Sequence, residues 1–353
     1  MTKTILFIGG GSLGHVTPSI AVADVIHSKN LARIVFAVGT RSDEATLVRA
    51  SGYECHVLSA PKFPRGLTLR YLTFPFSFCF ALTSSLALLL AVRPSAVFAK
   101  GGFVSVPLSF VAWCMRIPVV MHTSDSVPNM SDRFLMRIAS RVCTGFPLES
   151  LGIPHIHTGN PVRAMVRQGS REEGKRITGF TGSRPVLLVI GGSQGSLDLN
   201  QTVIKHFDEL VQMVDIIHLT GSGKETTFTH PSYFARAEVT TELPHLYALA
   251  DLVLTRAGAG VLSELAALKK TALVTPLMGV AHDHQLLNAE YLVDAGAVYH
   301  VPGSQLPMLS GIVTALLHDT EMMRSMGEAL GTCFPADASE QVSQALLDVL
   351  GSD

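Results

Sequence analysis

Cysteine and charge are both scarce in this chain of 353 residues, and each shortage excludes a class of protein. The five cysteines are far apart and form no CxxC pair, so neither a disulfide framework nor a zinc knuckle is predicted. Charged residues make up 16% and apolar residues 47%, which excludes a disordered chain. The scattered cysteines fit a reducing cytosol best. The first residues lead into a strand and a glycine loop without the regions of a signal peptide, so export is not expected.

The sequence also lacks a DxD pair, the pattern that chelates a metal bound to a nucleotide. His282 and His284 are separated by one residue, a spacing that is also found between metal ligands. The carboxylate and amide groups beside them suit the recognition of hydroxyl groups equally well. No metal site is therefore predicted.

Charge is unevenly divided along the chain. Residues 1–160 carry 14 Lys and Arg against 7 Asp and Glu, whereas residues 161–353 carry 13 against 21. The basic first half favours an anionic partner such as a phosphate, a nucleic acid or a membrane surface, although uneven charge also serves solubility alone.

The order strand, glycine turn, helix occurs near the start of the chain and again near its middle. The apolar runs Thr4–Ile8 and Pro185–Ile190 each end in a glycine turn, and helical stretches follow at Pro18–Ser28 and Leu197–Met213. Further short apolar runs in both halves, separated by lengths that suit crossover helices, indicate parallel sheets.

The sequence therefore predicts an α/β fold with two doubly wound, Rossmann-like domains. The first domain is expected over residues 1–160 and the second over residues 161–337. A final amphipathic helix over residues 338–353 is expected to pack back on the first domain.

Residues 71–92 are 22 uncharged positions between two arginines, long enough by count to span a bilayer. Pro75 and the polar run Thr83-Ser84-Ser85 interrupt them, and they fall where a crossover helix is needed. Three interpretations stay open: a membrane-spanning helix, a buried core helix, and a helix whose outer face dips into a membrane.

Gly9–Gly14 match GxGxxG between a strand and a helix, the arrangement whose backbone amides cradle a pyrophosphate. The acidic residue that would bind a ribose is absent after the second strand, where Ala37–Thr40 stands. A nicotinamide or flavin dehydrogenase is therefore disfavoured, while diphosphate binding remains. His15 follows the loop and is a base, an anion ligand or a helix cap, and His122 ends another strand in an equivalent position.

The second half offers similar loops. Gly191–Gly195 and Gly221–Gly223 are two further anion nests at strand ends, or else ordinary turns. Arg256 follows a strand, and Glu264 lies in the first turns of the next helix. Glu264 either accepts two hydroxyl hydrogen bonds from a ribose or complements the helix dipole.

These motifs, in this order and spacing, resemble those of the lipid II-forming N-acetylglucosaminyltransferases of peptidoglycan synthesis, the MurG family. The resemblance covers nearly the whole chain. It rests on GGGSLGHVTPSIAVA from Gly9, KGGFVSVP from Lys100, HTSDSVPNMSDR from His122, TGNPVR from Thr158, GGSQGSLDLN from Gly191, and ADLVLTRAGAGVLSELAAL with PLMGVAHDHQLLNA from Ala250 onward.

The resemblance implies a type B glycosyltransferase, whose two Rossmann-like domains face each other across a cleft. The first domain would bind a lipid-linked acceptor and the second a UDP-sugar. The implied reaction moves N-acetylglucosamine from UDP-N-acetylglucosamine to the 4-hydroxyl of undecaprenyl-diphospho-N-acetylmuramoyl-peptide, inverting the anomeric carbon. An enzyme with another lipid or small-molecule acceptor, and a non-catalytic sugar-nucleotide-binding protein, stay open as alternatives.

The resemblance also implies no cofactor, no metal and no nucleic-acid partner. It implies peripheral attachment to the anionic cytoplasmic face of the cell membrane. The basic first half of the chain agrees with such a surface.

Carried over residue by residue, the resemblance assigns His15 as the catalytic base, with Asp125 as the alternative. It assigns acceptor and diphosphate binding to Gly10, Gly11, Ser12, Gly14, Lys100, Gly101, Gly102, Ser105 and His122. It assigns UDP-sugar binding to Arg163, Ser193, Gln194, Arg256, Glu264, Gln285 and Asn288, with Thr240–Leu243 near the uracil. Five positions depart from the usual motifs: Leu13, Thr123 and Asp125 on the acceptor side, and Lys269 and Lys270 on the donor side.

Overall fold

The computed structural model describes residues 3–64, 69–148, 152–192, 194–239, 241–276 and 284–351. It divides into two compact units, one formed by Met1–Arg163 with Asp337–Asp353 and the other by Ala164–Ala336. Each unit contains a parallel sheet connected by helices, so the predicted α/β class with two doubly wound, Rossmann-like domains is confirmed. The chain leaves the first unit after Arg163, where the sequence analysis places the boundary after residue 160.

The first unit has a seven-stranded sheet in the order β3-β2-β1-β4-β5-β6-β7. Its strands are β1 (Thr4–Ile8), β2 (Arg33–Val38), β3 (Glu54–Val57), β4 (Ala96–Ala99), β5 (Val119–Thr123), β6 (Arg141–Thr144) and β7 (Ile156–His157). The helices between them are α1 (Leu13–Ser28), α2 (Ser42–Ala50), α3 (Arg70–Val92), α4 (Ser105–Cys114) and α5 (Met130–Ile138). Because strand order reverses between β1 and β4, the loops after these two strands flank the switch point, where such sheets bind ligands.

The second unit has a six-stranded sheet in the order β10-β9-β8-β11-β12-β13. Its strands are β8 (Val186–Ile190), β9 (Asp215–Leu219), β10 (Tyr233–Arg236), β11 (Leu252–Thr255), β12 (Ala272–Val274) and β13 (Tyr299–His300). Its helices are α6 (Arg171–Thr178), α7 (Leu197–Lys205), α8 (Phe207–Met213), α9 (Leu243–Leu249), α10 (Ala259–Ala267), α11 (His284–Asp294), α12 (Leu309–His318) and α13 (Thr320–Cys333). Here the switch point lies between β8 and β11.

The central strand of the first unit shows why its sequence is a continuous apolar run. Ile5 and Phe7 belong to one core cluster, on the face that packs against α1. Leu6 and Ile8 belong to another, on the face covered by α4 and α5. A strand buried on both faces favours a continuous apolar run over alternation.

The last helix, α14 (Ala338–Leu350), returns to the first unit and packs against α1. Val342 and Leu346 are fully buried in the same core cluster as Ile20 and Val22. The Ser343 hydroxyl donates to the carbonyl oxygen of Ser339 within the helix, at 2.7 Å. The amphipathic face expected from the sequence therefore lies in the core of the first unit.

One helix prediction is wrong in a single respect. The stretch Leu197–Met213 is not one helix but two, because the backbone of His206 leaves the helical region with φ −101° and ψ 13°. The break turns the buried Phe207 toward Tyr233, with ring centroids 5.1 Å apart. Burial of this aromatic pair outweighs the helical periodicity of the sequence.

Helix α3 contains the long uncharged run. Within the described residues it is the one helix long and apolar enough to cross a membrane, and only 22% of its apolar window is buried. Ala81, Ser85 and Leu89 lie against the body of the unit, whereas Phe76 and Phe80 are 79% and 63% exposed. The buried-core interpretation of this run is therefore wrong over most of its length.

Candidate functional site

Two glycine loops meet at the switch point of the first unit, one after β1 and one after β4. A β-carbon on Gly102 would lie 2.9 Å from the carbonyl oxygen of Gly10, so glycine is needed where the loops approach. The Ser105 hydroxyl donates to the carbonyl oxygen of Gly101 at 2.6 Å and holds the second loop. The predicted acceptor residues of these loops lie together at one edge of the sheet: Gly10, Gly11, Ser12, Gly14, Lys100, Gly101, Gly102 and Ser105.

His15, in the first turn of α1, lies against the second of these loops. Its Nδ1 is 3.2 Å from the carbonyl oxygen of Lys100. A carbonyl oxygen only accepts, so this contact assigns the proton to Nδ1 and leaves Nε2 as a proton acceptor. A β-carbon on Gly102 would lie 3.4 Å from Nε2. Burial and the nearby Lys100 ammonium lower the pKa of His15, so the ring is neutral near pH 7 and suited to act as a base.

Lys100 is buried below the same edge of the sheet. Its Nζ lies 2.8 Å from Nδ1 of His122 and also donates to the Ser124 hydroxyl. Nε2 of His122 donates to the carbonyl oxygen of Gly159 at 2.9 Å. Burial lowers the pKa of Lys100 to about 8 and that of His122 well below its usual value. Both nitrogens of His122 thus bind protein groups, and the ring holds Lys100 in place.

Two carboxylates surround this lysine. The first is the predicted alternative base, Asp125, which is half-buried. Its negative charge partly offsets the lowering of the pKa of His15 and of Lys100. The second is Asp132 of α5, which lies in the motif quoted from His122 but was given no role there. It is buried, and its Oδ2 accepts from the Thr123 hydroxyl at 3.0 Å. Burial raises the pKa of Asp132 to about 6. Its charge favours the ionised form of Lys100 more strongly than that of Asp125 does.

In the second unit, the loop Gly191–Gly195 packs on the loop Gly221–Gly223. The ammonium of Lys224 joins them, because its Nζ lies 2.5 Å from the carbonyl oxygen of Gln194 and 3.2 Å from that of Gly195. Two of the anion nests predicted from the sequence therefore share one edge of this sheet.

Arg256 directly follows β11, at the switch point of the second unit. Its Nη1 donates to the Ser196 hydroxyl at 3.0 Å, and its Nε donates to Oε1 of Gln285 at 3.2 Å. The half-buried guanidinium thus joins the start of α7 to the start of α11 and also interacts with the charge of Asp198. A cation held at two points in this way suits a phosphate group.

Asn288 also connects α11 with the loop after β11. It is fully buried, and its Nδ2 donates to the carbonyl oxygen of Ala257 at 3.1 Å. The structure brings together Arg256, Gln285 and Asn288 of the predicted sugar-binding set, with Asn288 in a supporting position.

Glu264 lies on α10, and a buried tyrosine holds its carboxylate. The hydroxyl of Tyr247 on α9 donates to Oε2 of Glu264 at 2.7 Å. Tyr247 is completely buried, and both burial and the carboxylate raise its pKa well above the usual value. The phenol is therefore always the donor in this pair, and Glu264 is a fixed acceptor. Glu264 lies in the second turn of α10 and not at its start, so the expectation that it complements the helix dipole is not supported.

The remaining predicted donor residues fall in three places. Arg163 is the last residue of the first unit, and its Nε is buried without a hydrogen-bond partner. Gln194 is exposed on the loop after β8. Ser193 and Thr240 lie outside the described residues, and the described part of the predicted uracil segment leads into α9. Among the described residues, no group of three or more His, Cys, Asp or Glu side chains is placed to hold a metal ion.

Two family models match the chain, one in each unit. The Glycosyltransferase family 28 N-terminal domain matches residues 5–144, and the Glycosyltransferase family 28 C-terminal domain matches residues 186–342. A protein of Clostridium kluyveri named "UDP-N-acetylglucosamine--N-acetylmuramyl-(pentapeptide) pyrophosphoryl-undecaprenol N-acetylglucosamine transferase" is 38% identical, over 83% of this chain and 85% of its own. A protein of the same name from Lachnoclostridium phytofermentans is 33% identical over 96% of this chain and 97% of its own.

The chain belongs to the MurG family of glycosyltransferases. Among solved structures, MurG of Acinetobacter baumannii matches with a TM-score of 0.73 and 21% identity, covering 98% of this chain and 99% of that one. The UDP-GlcNAc 2-epimerase of Neisseria meningitidis matches with a TM-score of 0.70 at 14% identity, covering 98% of this chain and all of that one. At these identities the structural matches establish the fold alone.

The roles assigned from the resemblance leave out several buried side chains that lie beside the predicted site residues. The most buried are Glu44, Asp132 and Tyr247, of which only Asp132 falls within a quoted motif. Tyr247 is 17 residues from Glu264 in sequence, and Glu44 is 33 residues from its partner Gly11. One signal was visible for Glu44: it lies in the first turn of the helix after β2, close to the point where that strand ends.

Proposed function

We propose that this chain transfers N-acetylglucosamine from UDP-N-acetylglucosamine to the 4-hydroxyl of an undecaprenyl-diphospho-N-acetylmuramoyl-peptide and releases UDP. The observation that carries the proposal is the 38% identity, over most of the chain, to a transferase named for this donor and acceptor. The geometry supports it independently, because each unit has polar and cationic groups at the switch point of its sheet.

On the acceptor side, we assign the sugar hydroxyl to His15 and the diphosphate to the charge of Lys100 and the glycine loops. Support comes from the neutral ring of His15 with Nε2 as acceptor, and from an ammonium held by His122. Lys62 adds a second positive charge, since its Nζ lies 5.2 Å from the ring centre of Phe103, next to the second glycine loop.

On the donor side, we assign the diphosphate to Arg256 and the ribose hydroxyls to Glu264. Arg256 is held by Ser196 and Gln285, and Glu264 is held by Tyr247, so both side chains are oriented before a ligand arrives. Preorganised groups of this kind stabilise a charged leaving group without reorganising during the reaction.

The proposed chemical step is a single displacement at the anomeric carbon. The acceptor oxygen forms the new bond to that carbon while its proton passes to Nε2 of His15. The bond from the anomeric carbon to the diphosphate oxygen breaks on the opposite face, which inverts the configuration. The electron pair leaves with UDP, whose added charge is stabilised by Arg256.

We also propose peripheral binding to an anionic membrane surface at the cytoplasmic face, through α3. Leu72, Phe76 and Phe80 follow one another at four-residue spacing and are all strongly exposed. The loop before α3 contributes Pro61 to an apolar hollow that Phe76 and Phe80 also line, with a volume of about 430 Å³. An exposed apolar stripe on a basic domain suits shallow burial in a lipid interface.

The transfer reaction is tested with purified protein, radiolabelled UDP-N-acetylglucosamine and a lipid-linked muramoyl-peptide analogue. The expected product is the disaccharide-bearing lipid, formed in proportion to released UDP. A small-molecule acceptor of similar sugar structure but without the diphosphate lipid serves as the control. Transfer to that control alone would assign another acceptor class, and UDP-sugar binding without turnover would assign a binding protein instead.

A further inference from the structure

Glu44 is a buried carboxylate that neither glycine motif includes. It lies in the first turn of α2, directly after the loop that follows β2, and is completely buried. Its Oε1 accepts from the backbone N–H of Gly11 at 2.7 Å, and its Oε2 accepts from that of Gly39 at 3.0 Å. The nearest charged nitrogen in its ion pair, Nε of Arg41, is 3.9 Å away on a largely exposed side chain. Its close partners are therefore backbone amides.

The carboxylate is packed tightly into the glycine loops. A β-carbon on Gly10 would lie 2.9 Å from Oε2 of Glu44 and 2.7 Å from the amide nitrogen of Gly39. The carbonyl oxygen of Gly10 faces Gly102, which in turn lies against Nε2 of His15. A shift of the first loop would therefore disturb the surroundings of His15.

Backbone amides of a glycine loop after a first strand are the groups that usually bind phosphate oxygens. Here the amide of Gly11 donates to a carboxylate of the chain itself, which is an anionic acceptor of the same kind. Burial raises the pKa of Glu44, while the two amides favour its ionised form. An amide with an internal anionic partner is not available to a substrate.

We propose that Glu44 is a positioning residue of the acceptor site: its carboxylate occupies the amide of Gly11 in the first glycine loop together with the amide of Gly39 after β2, fixes the first loop beside His15, and leaves the acceptor diphosphate to be bound without the amide of Gly11. This inference rests on the proposed function for the identity of the acceptor. It revises the assignment of Gly11 to diphosphate binding and gives that amide a structural partner instead.

The experiment compares Glu44→Ala with Asp43→Ala in the full chain. Asp43 is adjacent on the same helix, and the change removes the same charge. Its carboxylate pairs with Arg41 rather than with the glycine loops. Hydrogen exchange of the peptide spanning residues 9–15 reports on the loop without requiring activity. UDP binding and transfer kinetics with the lipid acceptor are measured on the same samples, with and without added formate.

We expect faster exchange of the loop in Glu44→Ala and not in Asp43→Ala. The acceptor kcat/KM should fall about tenfold or more in Glu44→Ala, because a misplaced base costs rate, while the dissociation constant for UDP stays unchanged. Formate should restore part of the lost activity only in Glu44→Ala, since it supplies a carboxylate to the vacated amides. If Glu44→Ala does not fold, Glu44→Gln replaces it. Gln keeps one acceptor oxygen and the volume of the side chain, so the loop exchange and the acceptor kinetics should change in the same direction to a smaller extent, without rescue by formate.

Unchanged exchange of residues 9–15, or wild-type acceptor kinetics, would overturn the proposal. So would a loss of activity that formate does not reverse and that follows the fall in thermal stability, because Glu44 would then only support the fold. Failure of the proposed function has a different signature: wild-type protein transfers no sugar, while the exchange difference between the two variants persists.

Discussion

Replacing Tyr247 with phenylalanine should weaken binding of the UDP-sugar through Glu264. The change removes a single oxygen atom, the one that donates to Oε2 of Glu264 at 2.7 Å. Because Tyr247 is completely buried, no water replaces the lost donor without entering the core. The Glu264 carboxylate then loses the contact that orients it toward a ligand.

The magnitude follows from the strength of the contacts. A hydrogen bond to a charged group contributes about 1.5–3 kcal/mol, and less where water reaches the site. Glu264→Ala removes the whole carboxylate, so we expect the donor KM to rise at least about tenfold. Tyr247→Phe leaves the carboxylate and removes one contact that holds it, so we expect a rise of about three- to tenfold. The acceptor KM should change little in both variants.

The assay measures UDP binding by calorimetry and donor KM by transfer for the wild type, both single variants and the double variant. If Tyr247 acts through Glu264, Tyr247→Phe should have almost no further effect once Glu264 is alanine. A donor with 2′-deoxyuridine adds an independent readout, because the penalty for the missing hydroxyl should shrink in Tyr247→Phe.

Two results would refute this reasoning. A folded Glu264→Ala variant with wild-type donor KM and turnover would leave Glu264 as a structural partner of Tyr247 only, and would weaken the assignment of Arg256 as well. Equal effects of Tyr247→Phe with and without Glu264 would mean that the tyrosine acts on the fold rather than on the carboxylate.

Three further predictions concern the metal, the membrane and the base. Because the sequence has no DxD pair and the assigned diphosphate ligand is Arg256, transfer should persist in excess EDTA, and a complete loss that magnesium reverses would count against the mechanism. Salt or alkaline carbonate should release the protein from membranes, and replacing Phe76 with aspartate should reduce vesicle binding; release by detergent alone would indicate a spanning helix. His15 accepts a proton only when neutral, and burial lowers its pKa, so kcat/KM should fall on the acid side only below pH 6.5. Lys100 has a pKa of about 8 and loses its charge above it, so kcat/KM should also fall near pH 8 on the basic side. His15→Gln should abolish the acid limb, and an unchanged profile would transfer the base assignment to Asp125.

The sequence alone determined the elements that depend on local pattern. The strands β1 and β2 lie where the apolar runs predict them, because a strand buried on both faces requires consecutive apolar residues. The glycine turn after β1 and the repeat of the same arrangement at β8 identified the fold class and the edge of each sheet that carries chemistry.

The tertiary structure decided between residues that look alike in sequence. His15 and His122 both follow apolar strands, and both were assigned to the acceptor. Only the fold shows that His122 uses both ring nitrogens inside the protein while His15 offers Nε2. The long apolar run was similarly ambiguous, because length and composition are the same for a buried and a surface helix; its packing left most of it exposed.

No local sequence pattern predicts contacts between residues that are far apart in the chain. The contacts between Glu44 and Gly11, and between Tyr247 and Glu264, join residues on different elements, and no periodicity reports which elements become neighbours. Hydrophobic periodicity extends over a few neighbouring residues, so a single sequence is enough to predict helices and strands from it. A buried carboxylate needs specific donors supplied by packing of whole loops, so its role emerges only when the chain is folded.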